Sequence, residues 1–324
     1  DITDITFSNS GGVIATWSIE PVLPAGLTFS TYSGTISGTP TVNSTATSYK
    51  VYANNSGGSA TVTISITINE PLASITASAS SVNLTRSVTM TSVIITNSGG
   101  MAESWAIHPS PPAGLSFSTV SGTISGTPTV NMTSTTFTIW ANNSGGAAST
   151  NVSITIDEPV AALTASVTSI SLTRGTAMGA ITMSNTGGAV ATWAIDSSLP
   201  AGLTFSTSSG SITGTPTVNQ TQVSYTIWAN NSGGSASVQI NLTINEPLPV
   251  ISIYWPVTAT LTRGSAMSAI VFTNTGGAIA TWEYDPALPS GLTFNTGPGS
   301  ITGTPLVNST ATTYTFWANN TGGS

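Results

Sequence analysis

The chain has 324 residues, of which only 5% are charged, and it carries a net charge of -7, one histidine and no cysteine. Four basic residues cannot build the positive face that releases counterions from phosphates, so these numbers exclude a nucleic-acid-binding protein. Hydrophobic residues make up 39% of the chain and include eight tryptophans, which is enough apolar surface to exclude a disordered chain.

A repeat of about 88 residues organises the chain. Its markers are Trp17, Trp105, Trp193 and Trp282, together with Pro40, Pro128, Pro216 and Pro305 at the end of a Gly-Thr-Pro segment. The tryptophans lie 88, 88 and 89 residues apart, and the extra residue falls near Trp255 and Pro256. We predict four domains, repeats 1 to 4, at 1–71, 72–159, 160–247 and 248–324, the first without its first strand and the last without its last strand.

Within a repeat, hydrophobic residues recur with a period of two, which is typical of β-strands. In repeat 3 the residues that follow this period are, in chain order, Ile181, Met183, Ala191, Trp193, Ile195, Leu203, Phe205, Ile212, Tyr225, Ile227, Ala229, Val238, Ile240, Leu242 and Ile244. With the strand ahead of Arg174, they indicate about seven strands separated by Gly, Pro or Asn turns. We predict an antiparallel β-sandwich, since solenoid units are shorter, at about 20–45 residues.

The segment LPAGLTFSTYSGTISGTPTVNSTATSYKVYANNSGGSATVTISI, residues 23–66, resembles the He-PIG repeat of microbial surface proteins. That repeat has an LPxGL motif, a G-x-I-x-GTP motif and a Y-x-V-x-A strand, and the GTP core recurs here at 38–40, 126–128, 214–216 and 303–305. The resemblance covers all four repeats. It implies an all-β fold of tandem immunoglobulin-like or cadherin-like β-sandwich domains, arranged as an elongated array in a surface or adhesive protein.

Cadherin-like relatives often bind calcium between domains, and we expect no such site here. Calcium takes about six to eight oxygen ligands, several of them carboxylates. The linkers between repeats offer only Glu70, Asp157 with Glu158, or Glu246.

Catalysis is not expected either, and neither is a cofactor. His108 occurs in one repeat only and is interpreted as a loop residue. Glu283 and Asp285 lie two residues apart on one face of a strand, where a solvated rim is the simpler interpretation than an acid–base pair.

Arg86, Arg174 and Arg263 recur in a Leu-Thr-Arg motif. Each is placed to pair with a linker carboxylate, Glu70, Glu158 or Glu246, and so to fix the angle between repeats. An exposed pair contributes only about 0–1 kcal/mol, so a solvated turn residue is the default interpretation and the hinge-setting pair is the alternative. The Glu-Pro linkers at 70–71, 158–159 and 246–247 favour restricted hinges.

The turn Asn-Asn-Ser/Thr-Gly-Gly ends a strand in every repeat and follows an aromatic residue: Tyr52, Trp140, Trp228 or Trp317. Asn and Gly tolerate the conformations of hairpin turns, which explains the turn but not the aromatic. If Tyr225, Ile227 and Ala229 face the core, Trp228 and Asn230 face outward. We hypothesise that an N-linked sugar covers each ring, and the alternative is a contact with another protein chain.

Eleven asparagines lie in Asn-x-Ser/Thr sequons and are candidate glycosylation sites. One in-phase set precedes the Gly-Gly turn: Asn54, Asn142, Asn230 and Asn319. A second in-phase set is Asn43, Asn131, Asn219 and Asn308, and the remaining candidates are Asn83, Asn151 and Asn241.

About a third of the residues are serine or threonine, so the surface is polar but nearly uncharged. A protein with such a surface is poorly soluble unless glycans or partner subunits cover it. We therefore expect an extracellular or cell-surface protein, and a prokaryotic source, archaea included, because prokaryotic surface domains often fold without disulfides. The sequence shows no transmembrane segment.

Three functions remain open. The first is a structural protein that forms a glycosylated surface fibre, filament, sheath or stalk, as a homo-oligomer that exchanges strands at open sheet edges. The second is an adhesin that binds carbohydrate or another cell through the outward aromatics. The third is a non-catalytic spacer of an enzyme.

Overall fold

The computed structural model describes residues 1–254 and 258–324, and within these ranges every regular element is a β-strand. The described chain divides into two compact units, Asp1–Asp157 and Glu158–Ser324. The extra residue predicted near Trp255 and Pro256 lies outside the described residues.

The first unit holds repeats 1 and 2. In repeat 1 the described strands are β1 (Thr16–Glu20), β2 (Leu27–Phe29), β3 (Ile36–Gly38), β4 (Ser44–Asn55) and β5 (Gly58–Ile68). In repeat 2 they are β6 (Ile75–Ala77), β7 (Ser81–Thr85), β8 (Ile95–Asn97), β9 (Ser104–His108), β10 (Leu115–Phe117), β11 (Ile124–Gly126), β12 (Met132–Asn143) and β13 (Gly146–Asp157).

The second unit holds repeats 3 and 4. In repeat 3 the strands are β14 (Leu163–Ala165), β15 (Ser169–Thr173), β16 (Met183–Asn185), β17 (Thr192–Ile195), β18 (Leu203–Phe205), β19 (Ile212–Gly214), β20 (Gln220–Asn231) and β21 (Gly234–Asn245). In the described part of repeat 4 they are β22 (Ile251–Ile253), β23 (Ile270–Asn274), β24 (Thr281–Asp285), β25 (Leu292–Asn295), β26 (Ser300–Gly303) and β27 (Thr315–Asn319).

Repeat 2 shows the sandwich most completely. One sheet has the order β7-β13-β12-β9, and the other side is built from the pairs β6-β8 and β10-β11, joined by a bridge between Val93 and Ile124. The outermost strand β7 runs parallel to β13, with Ser81 opposite Ser153 and Thr85 opposite Asp157, whereas the other pairs are antiparallel.

Repeat 3 repeats this arrangement with the order β15-β21-β20-β17 and a parallel β15. Both repeats therefore have eight strands where about seven were predicted. The single opening strand of the prediction is two short strands, because the chain crosses from one sheet to the other between them.

The core lies between the two sheets and is formed by the inward residues of each strand. In repeat 2, Phe137, Ile139, Val152, Ile154 and Ile156 are at most 1% exposed. They alternate with residues on the outer face of the same strands, as the period of two requires.

The core predicted for repeat 3 is largely confirmed, because Ile181, Leu203, Ile212, Tyr225, Ile227, Ala229, Ile240, Leu242 and Ile244 are all buried. Ala191 precedes β17 and is exposed, so the alternation of this strand begins at Thr192 and Trp193.

The tryptophan that marks each repeat packs against a turn glycine. Gly122 has a φ of 69°, and a Cβ built on it would lie 2.5 Å from the ring of Trp105. Gly210 and Trp193 show the same arrangement, with a distance of 2.4 Å. Glycine is required there both because the backbone is left-handed and because the indole ring occupies the side-chain position.

Candidate functional site

The outer face of the long hairpin in each repeat carries the aromatic residues that precede the Gly-Gly turn. In β20, Ile227 and Ala229 are fully buried, whereas Trp228 between them is 39% exposed. Its neighbours on the adjacent strands are Ala194 and Ser237, whose small side chains cover little of the indole ring. The ring therefore lies on the surface, on the side of the sheet away from the core.

The three equivalent aromatics differ in exposure. Trp317 is 40% exposed, and Trp140 and Tyr52 are half-buried. The Tyr52 hydroxyl donates a hydrogen bond to the Glu20 carboxylate, and this bond raises the pKa of Tyr52. Tyr52 is thus engaged by a neighbour within repeat 1, while the rings of Trp228 and Trp317 are the more accessible ones.

The sequon asparagines lie at the surface or at its edge. The exposed ones are Asn43, Asn83, Asn131, Asn151, Asn219 and Asn308, and the half-buried ones are Asn54, Asn142, Asn230, Asn241 and Asn319. Asn230 lies two residues after Trp228 on the outer face of β20. A group attached to its side chain would therefore extend from the same face as the indole ring.

Two asparagines of the Asn43 set bind a linker carboxylate. The side-chain nitrogen of Asn43 donates to Oε1 of Glu70 at 2.7 Å. The side-chain nitrogen of Asn219 donates to the carboxylate of Glu246 in the same way. The recurrence of asparagine at this position therefore has a structural reason in addition to the sequon.

A second feature recurs at the start of every repeat from 2 to 4, where two glycine-rich turns hold the incoming linker. We call this pair the linker clamp. In repeat 2 it consists of the short turn 97–100 and the hairpin turn 142–146, which hold Glu70, Pro71 and Leu72. The hairpin turn of the clamp is the Asn-Asn-Ser/Thr-Gly-Gly sequence that was interpreted above as a turn signal and a sequon, and the short turn has a similar Asn-x-Gly-Gly sequence.

The hairpin turn binds the linker backbone through two side chains. The backbone N–H of Glu70 donates to Oγ of Ser144 at 2.8 Å. The amide of Asn143 donates to the carbonyl oxygens of Pro71 and Met101 at 2.8 and 3.1 Å, while its own oxygen accepts the N–H of Gly145 at 2.9 Å. The serine of the sequon and the second asparagine are thus both ligands of the linker.

The glycines of the clamp are needed because the linker approaches their backbone closely. A Cβ built on Gly145 would lie 2.0 Å from the carbonyl oxygen of Glu70, and one on Gly100 would lie 1.9 Å from that of Pro71. The backbone N–H of Gly100 donates to the carbonyl oxygen of Leu72 at 3.1 Å. Any side chain at these two positions would displace the linker.

Repeats 3 and 4 form the same contacts with their own linker residues. In repeat 3 the ligand pairs are Glu158 N–H to Ser232 Oγ at 2.8 Å, Asn231 to Pro159 O at 2.7 Å and Gly188 N–H to Val160 O at 3.2 Å. In repeat 4 they are Glu246 N–H to Thr321 Oγ1 at 3.1 Å, Asn320 to Pro247 O at 2.7 Å and Gly277 N–H to Leu248 O at 2.9 Å.

Two of the linker carboxylates, those of Glu158 and Glu246, are buried and therefore need partners. Glu158 is 5% exposed, and its Oε1 accepts the backbone N–H of Ala189 at 3.0 Å. Glu246 is 7% exposed, and its carboxylate accepts hydrogen bonds from Asn219 and Arg174. The hydrogen bond from Asn219, with the charge of Arg174, lowers the pKa of Glu246.

The ion pair between Arg174 and Glu246 is one of the arginine–linker pairs anticipated from the sequence. Arg86 also has a partner, and Arg263 is exposed. The clamp itself was not anticipated. The signal for it was a second Asn-x-Gly-Gly turn in each repeat, in addition to the hairpin turn and the Glu-Pro linker that were interpreted above.

The remaining ionisable candidates lie on the surface. His108 is the exposed last residue of β9, so its interpretation as a loop residue is wrong. Glu283 and Asp285 are both exposed on β24. Among residues 1–254 and 258–324, no group of three or more His, Cys, Asp or Glu side chains is arranged to hold a metal ion.

The described part of the chain contains no helix long and apolar enough to cross a membrane.

Comparison with solved structures finds arrays of immunoglobulin domains. An I-band fragment of titin is 18% identical, with a TM-score of 0.37, covering 71% of this chain and 87% of that chain. Extracellular domains 3–5 of Drosophila OTK are 16% identical, with a TM-score of 0.34, covering 68% and 78%. Immunoglobulin domains 1–5 of Sidekick-1 are 15% identical, with a TM-score of 0.34, covering 95% and 71%.

A comparison with curated protein sequences finds no significant match. The family described as "Putative Ig domain" (He-PIG) matches four successive segments, residues 1–69, 72–157, 160–245 and 249–324. These segments cover nearly the whole chain. The chain therefore belongs to the He-PIG family and consists of four tandem immunoglobulin-like domains.

Proposed function

We propose that this chain is a structural extracellular protein, whose tandem domains build a glycosylated fibre, filament, sheath or stalk on a cell surface. The observation that carries the proposal is the linker clamp. The same backbone contacts hold residues 70–72 in repeat 2, 158–160 in repeat 3 and 246–248 in repeat 4. A structural protein that spans a distance or bears force benefits from linkers that are held by the same contacts in successive repeats.

Within each compact unit one linker glutamate is held from both sides. The Glu70 carboxylate accepts a bond from Asn43 of repeat 1, while its N–H donates to Ser144 of repeat 2. The Glu246 carboxylate is bound by Asn219 of repeat 3, while its N–H donates to Thr321 of repeat 4. Each contact restricts rotation at the junction between the two repeats of its own unit, which supports a stiff linker there.

N-linked glycans complete the proposal by covering the uncharged surface. Trp228 and Trp317 leave about two-fifths of their surface in water, and a sequon asparagine lies two residues after each on the same strand face. Sugars present apolar C–H faces that stack on aromatic rings. A first sugar on Asn230 or Asn319 is therefore placed to lie over the neighbouring indole.

The sugar hypothesis is tested by mass spectrometry of peptides from the native material. We expect modified peptides spanning Asn142 and Asn230. Unmodified peptides at both sites would refute it, and modification restricted to the Asn43 set would refute the stacking on the aromatic rings.

The fibre is tested by imaging the purified protein by electron microscopy across a concentration series. We expect assemblies that lengthen with concentration, through contacts between copies of this chain. Monodisperse short rods at all concentrations would count against a filament and leave a monomeric stalk.

A second function, an adhesin that binds carbohydrate in trans, is favoured by the exposed indole faces of Trp228 and Trp317. Binding to a glycan array by the unglycosylated chain would support it, with Trp228→Ala and Trp317→Ala expected to remove the signal. Replacement of Tyr52, which is engaged by Glu20, serves as the matched control and should leave binding unchanged.

A further inference from the structure

The linker glutamate of the first unit, Glu70, binds two sequons at once. Its carboxylate oxygen Oε1 accepts a hydrogen bond from Nδ2 of Asn43 at 2.7 Å. Its backbone N–H donates to Oγ of Ser144 at 2.8 Å, and this hydroxyl completes the sequon of Asn142. Glu70 therefore engages the nitrogen of one sequon and the hydroxyl of another, in the repeats on either side of the linker.

The linker glutamate of the second unit, Glu246, forms the same two contacts. Its carboxylate accepts a hydrogen bond from Nδ2 of Asn219, and its N–H donates to Oγ1 of Thr321 at 3.1 Å, the hydroxyl of the Asn319 sequon. Arg174 binds the same carboxylate, and Glu246 is only 7% exposed. The nitrogen of Asn219 is therefore held by a buried group.

N-glycosylation requires both of the groups that the glutamates engage. The asparagine Nδ2 forms a bond to C1 of a sugar and loses one proton, while the bond from C1 to a lipid-linked diphosphate breaks and the diphosphate leaves with its electron pair. The hydroxyl at the third position defines the sequon, so the transferase must contact it. A nitrogen or hydroxyl that binds the linker cannot reach the enzyme at the same time.

The other parts of the Asn43 and Asn219 sequons are accessible. Both asparagines are exposed, as are the threonines at the third position, Thr45 and Thr221. The residue between them points inward in the second unit, where Nε2 of Gln220 is buried. The bond from Nδ2 to the glutamate is therefore the contact that has to break before transfer.

We infer that a docked linker glutamate blocks N-glycosylation, and that sugars are added to these four sequons only while the linker is released from them. The four asparagines are Asn43 and Asn142 in the first unit and Asn219 and Asn319 in the second. Glycan transfer then comes before linker docking in the assembly of each unit, and docking ends it. The inference rests on the glycosylation that the proposed function includes, and it deepens that proposal by naming what regulates the modification.

The expected size of the effect follows from the fraction of chains in which the linker is released. If only the released form reacts, the observed rate is the rate of a free sequon multiplied by that fraction. A hydrogen bond to a charged carboxylate typically shifts such an equilibrium by about tenfold or more. Transfer to a docked sequon should therefore be slower by at least about the same factor.

The experiment is transfer in vitro by a purified oligosaccharyltransferase from a lipid-linked sugar diphosphate to the folded, unglycosylated 324-residue chain. Mass spectrometry of peptides gives the initial rate at each sequon. The peptide TVNQTQVS, residues 217–224, provides the rate of the free Asn219 sequon under the same conditions. We expect Asn219 in the folded chain to react at least about tenfold more slowly than in the peptide.

Removal of the carboxylate tests the contact to the asparagine nitrogen, and each unit is the control for the other. Glu246→Ala should raise the rate at Asn219 at least about tenfold and leave that at Asn43 unchanged. Glu70→Ala should have the reverse effect. Hydrogen exchange of residues 220–245 should be the same in the parent and in Glu246→Ala, which shows that the strands stay folded.

Displacement of the linker tests the contact to the hydroxyl. Gly100→Ala, whose Cβ overlaps the Pro71 carbonyl oxygen, should raise the rate at Asn142 and leave that at Asn319 unchanged. Gly179→Ala, at a glycine with no atom within 4 Å of the added Cβ, is the matched control and should react like the parent.

Three results would each overturn the inference: equal rates at Asn219 in the folded parent and in the peptide, no rise at Asn219 in a folded Glu246→Ala variant, or no rise at Asn142 in Gly100→Ala. Because these rates are measured in vitro, they do not depend on sugars in the native material. Native protein without sugars would contradict the proposed function alone.

Discussion

Repeats 1 and 2 follow one sequence plan but differ in what borders their last strand. In repeat 2, β13 is flanked by the parallel strand β7, and its inward residues Ile154 and Ile156 are 1% exposed. In repeat 1, β5 pairs only with β4 among the described residues, and the equivalent Ile66 and Ile68 are half-buried. The opening strand therefore does more than extend the sheet, since it closes one side of the core.

The same two repeats differ at the clamp. Gly100 of repeat 2 is buried under the Pro71 carbonyl, and Gly12 of repeat 1 is open. In repeat 2 the short turn therefore packs against the linker in addition to forming its own hydrogen bonds. Substitutions at paired positions of the two repeats separate these roles.

The largest difference is expected for core truncation. We expect Ile154→Ala to lose about 2–5 kcal/mol, because the cavity is enclosed on all sides. Ile66→Ala should lose only about 1 kcal/mol, because water already reaches that site. Hydrogen exchange resolved by mass spectrometry for residues 132–157 and 44–68 measures each effect in the intact chain. Equal losses would show that β7 contributes nothing to closure of the core.

The next difference is expected at the clamp glycines. Gly100→Ala should lose about 1–3 kcal/mol, since its Cβ overlaps the Pro71 carbonyl oxygen. Gly12→Ala should change stability by less than about 0.5 kcal/mol. Faster amide exchange in residues 70–75 only for Gly100→Ala is the expected result. A loss of similar size in Gly12→Ala would mean that the turn itself, and not the linker, requires glycine.

A smaller difference in stability is expected for the serine that belongs to both the sequon and the hairpin turn. Ser144→Ala removes the acceptor for the Glu70 N–H and should lose about 0.5–1.5 kcal/mol. Ser56→Ala, its equivalent in repeat 1, should lose almost nothing, and both variants remove a sequon. Ser144→Thr keeps the hydroxyl and should restore the stability, as Thr321 does in repeat 4. Thermal unfolding of the unglycosylated proteins measures this, and equal loss in both alanine variants would contradict it.

The smallest effect concerns charge at the linker glutamates. The contact described for the Glu70 carboxylate is the hydrogen bond from Asn43, whereas Glu246 is bound by both Asn219 and the charged Arg174. Because the folded state lowers the pKa of Glu246, its carboxylate stabilises the fold above the ordinary glutamate pKa of about 4.3. That stabilisation is lost as the pH falls through the lowered value.

The titration of Glu246 followed by carbon NMR tests this sign. Asn219→Ala and Arg174→Gln should each move the midpoint of Glu246 upward, because the hydrogen bond from Asn219 and the charge of Arg174 both lower its pKa. If the midpoint is unchanged in both variants, these two side chains are not the cause of the lowered pKa of Glu246.

Most of the fold could be predicted because alternation of apolar residues determines which side of a strand is buried. The buried pair Ile227 and Ala229 and the exposed Trp228 follow from this parity alone. The parallel pairing of β15 could not be predicted, since the five residues Ser169–Thr173 have the same pattern in either direction.

The linker clamp was beyond sequence reasoning for a different reason. Asn143 and Pro71 are 72 residues apart, and the acceptor is a backbone carbonyl, which leaves no mark on residue choice. The sequence shows only the glycines and asparagines of the clamp. Because turn formation already accounts for these residue types, nothing in the sequence indicates that they also bind the linker. The ion pair of Arg174 was open to prediction because both partners are charged side chains.

The parallel pairing of β7 with β13 determines how a repeat responds to tension. A pull on the segment before Ser81 and on the segment after Asp157 draws the two strands in opposite directions along their common axis. All five residue pairs between them are then loaded together in shear, and none can open ahead of the rest. A repeat of this construction yields to stretching only when that whole ladder breaks at once.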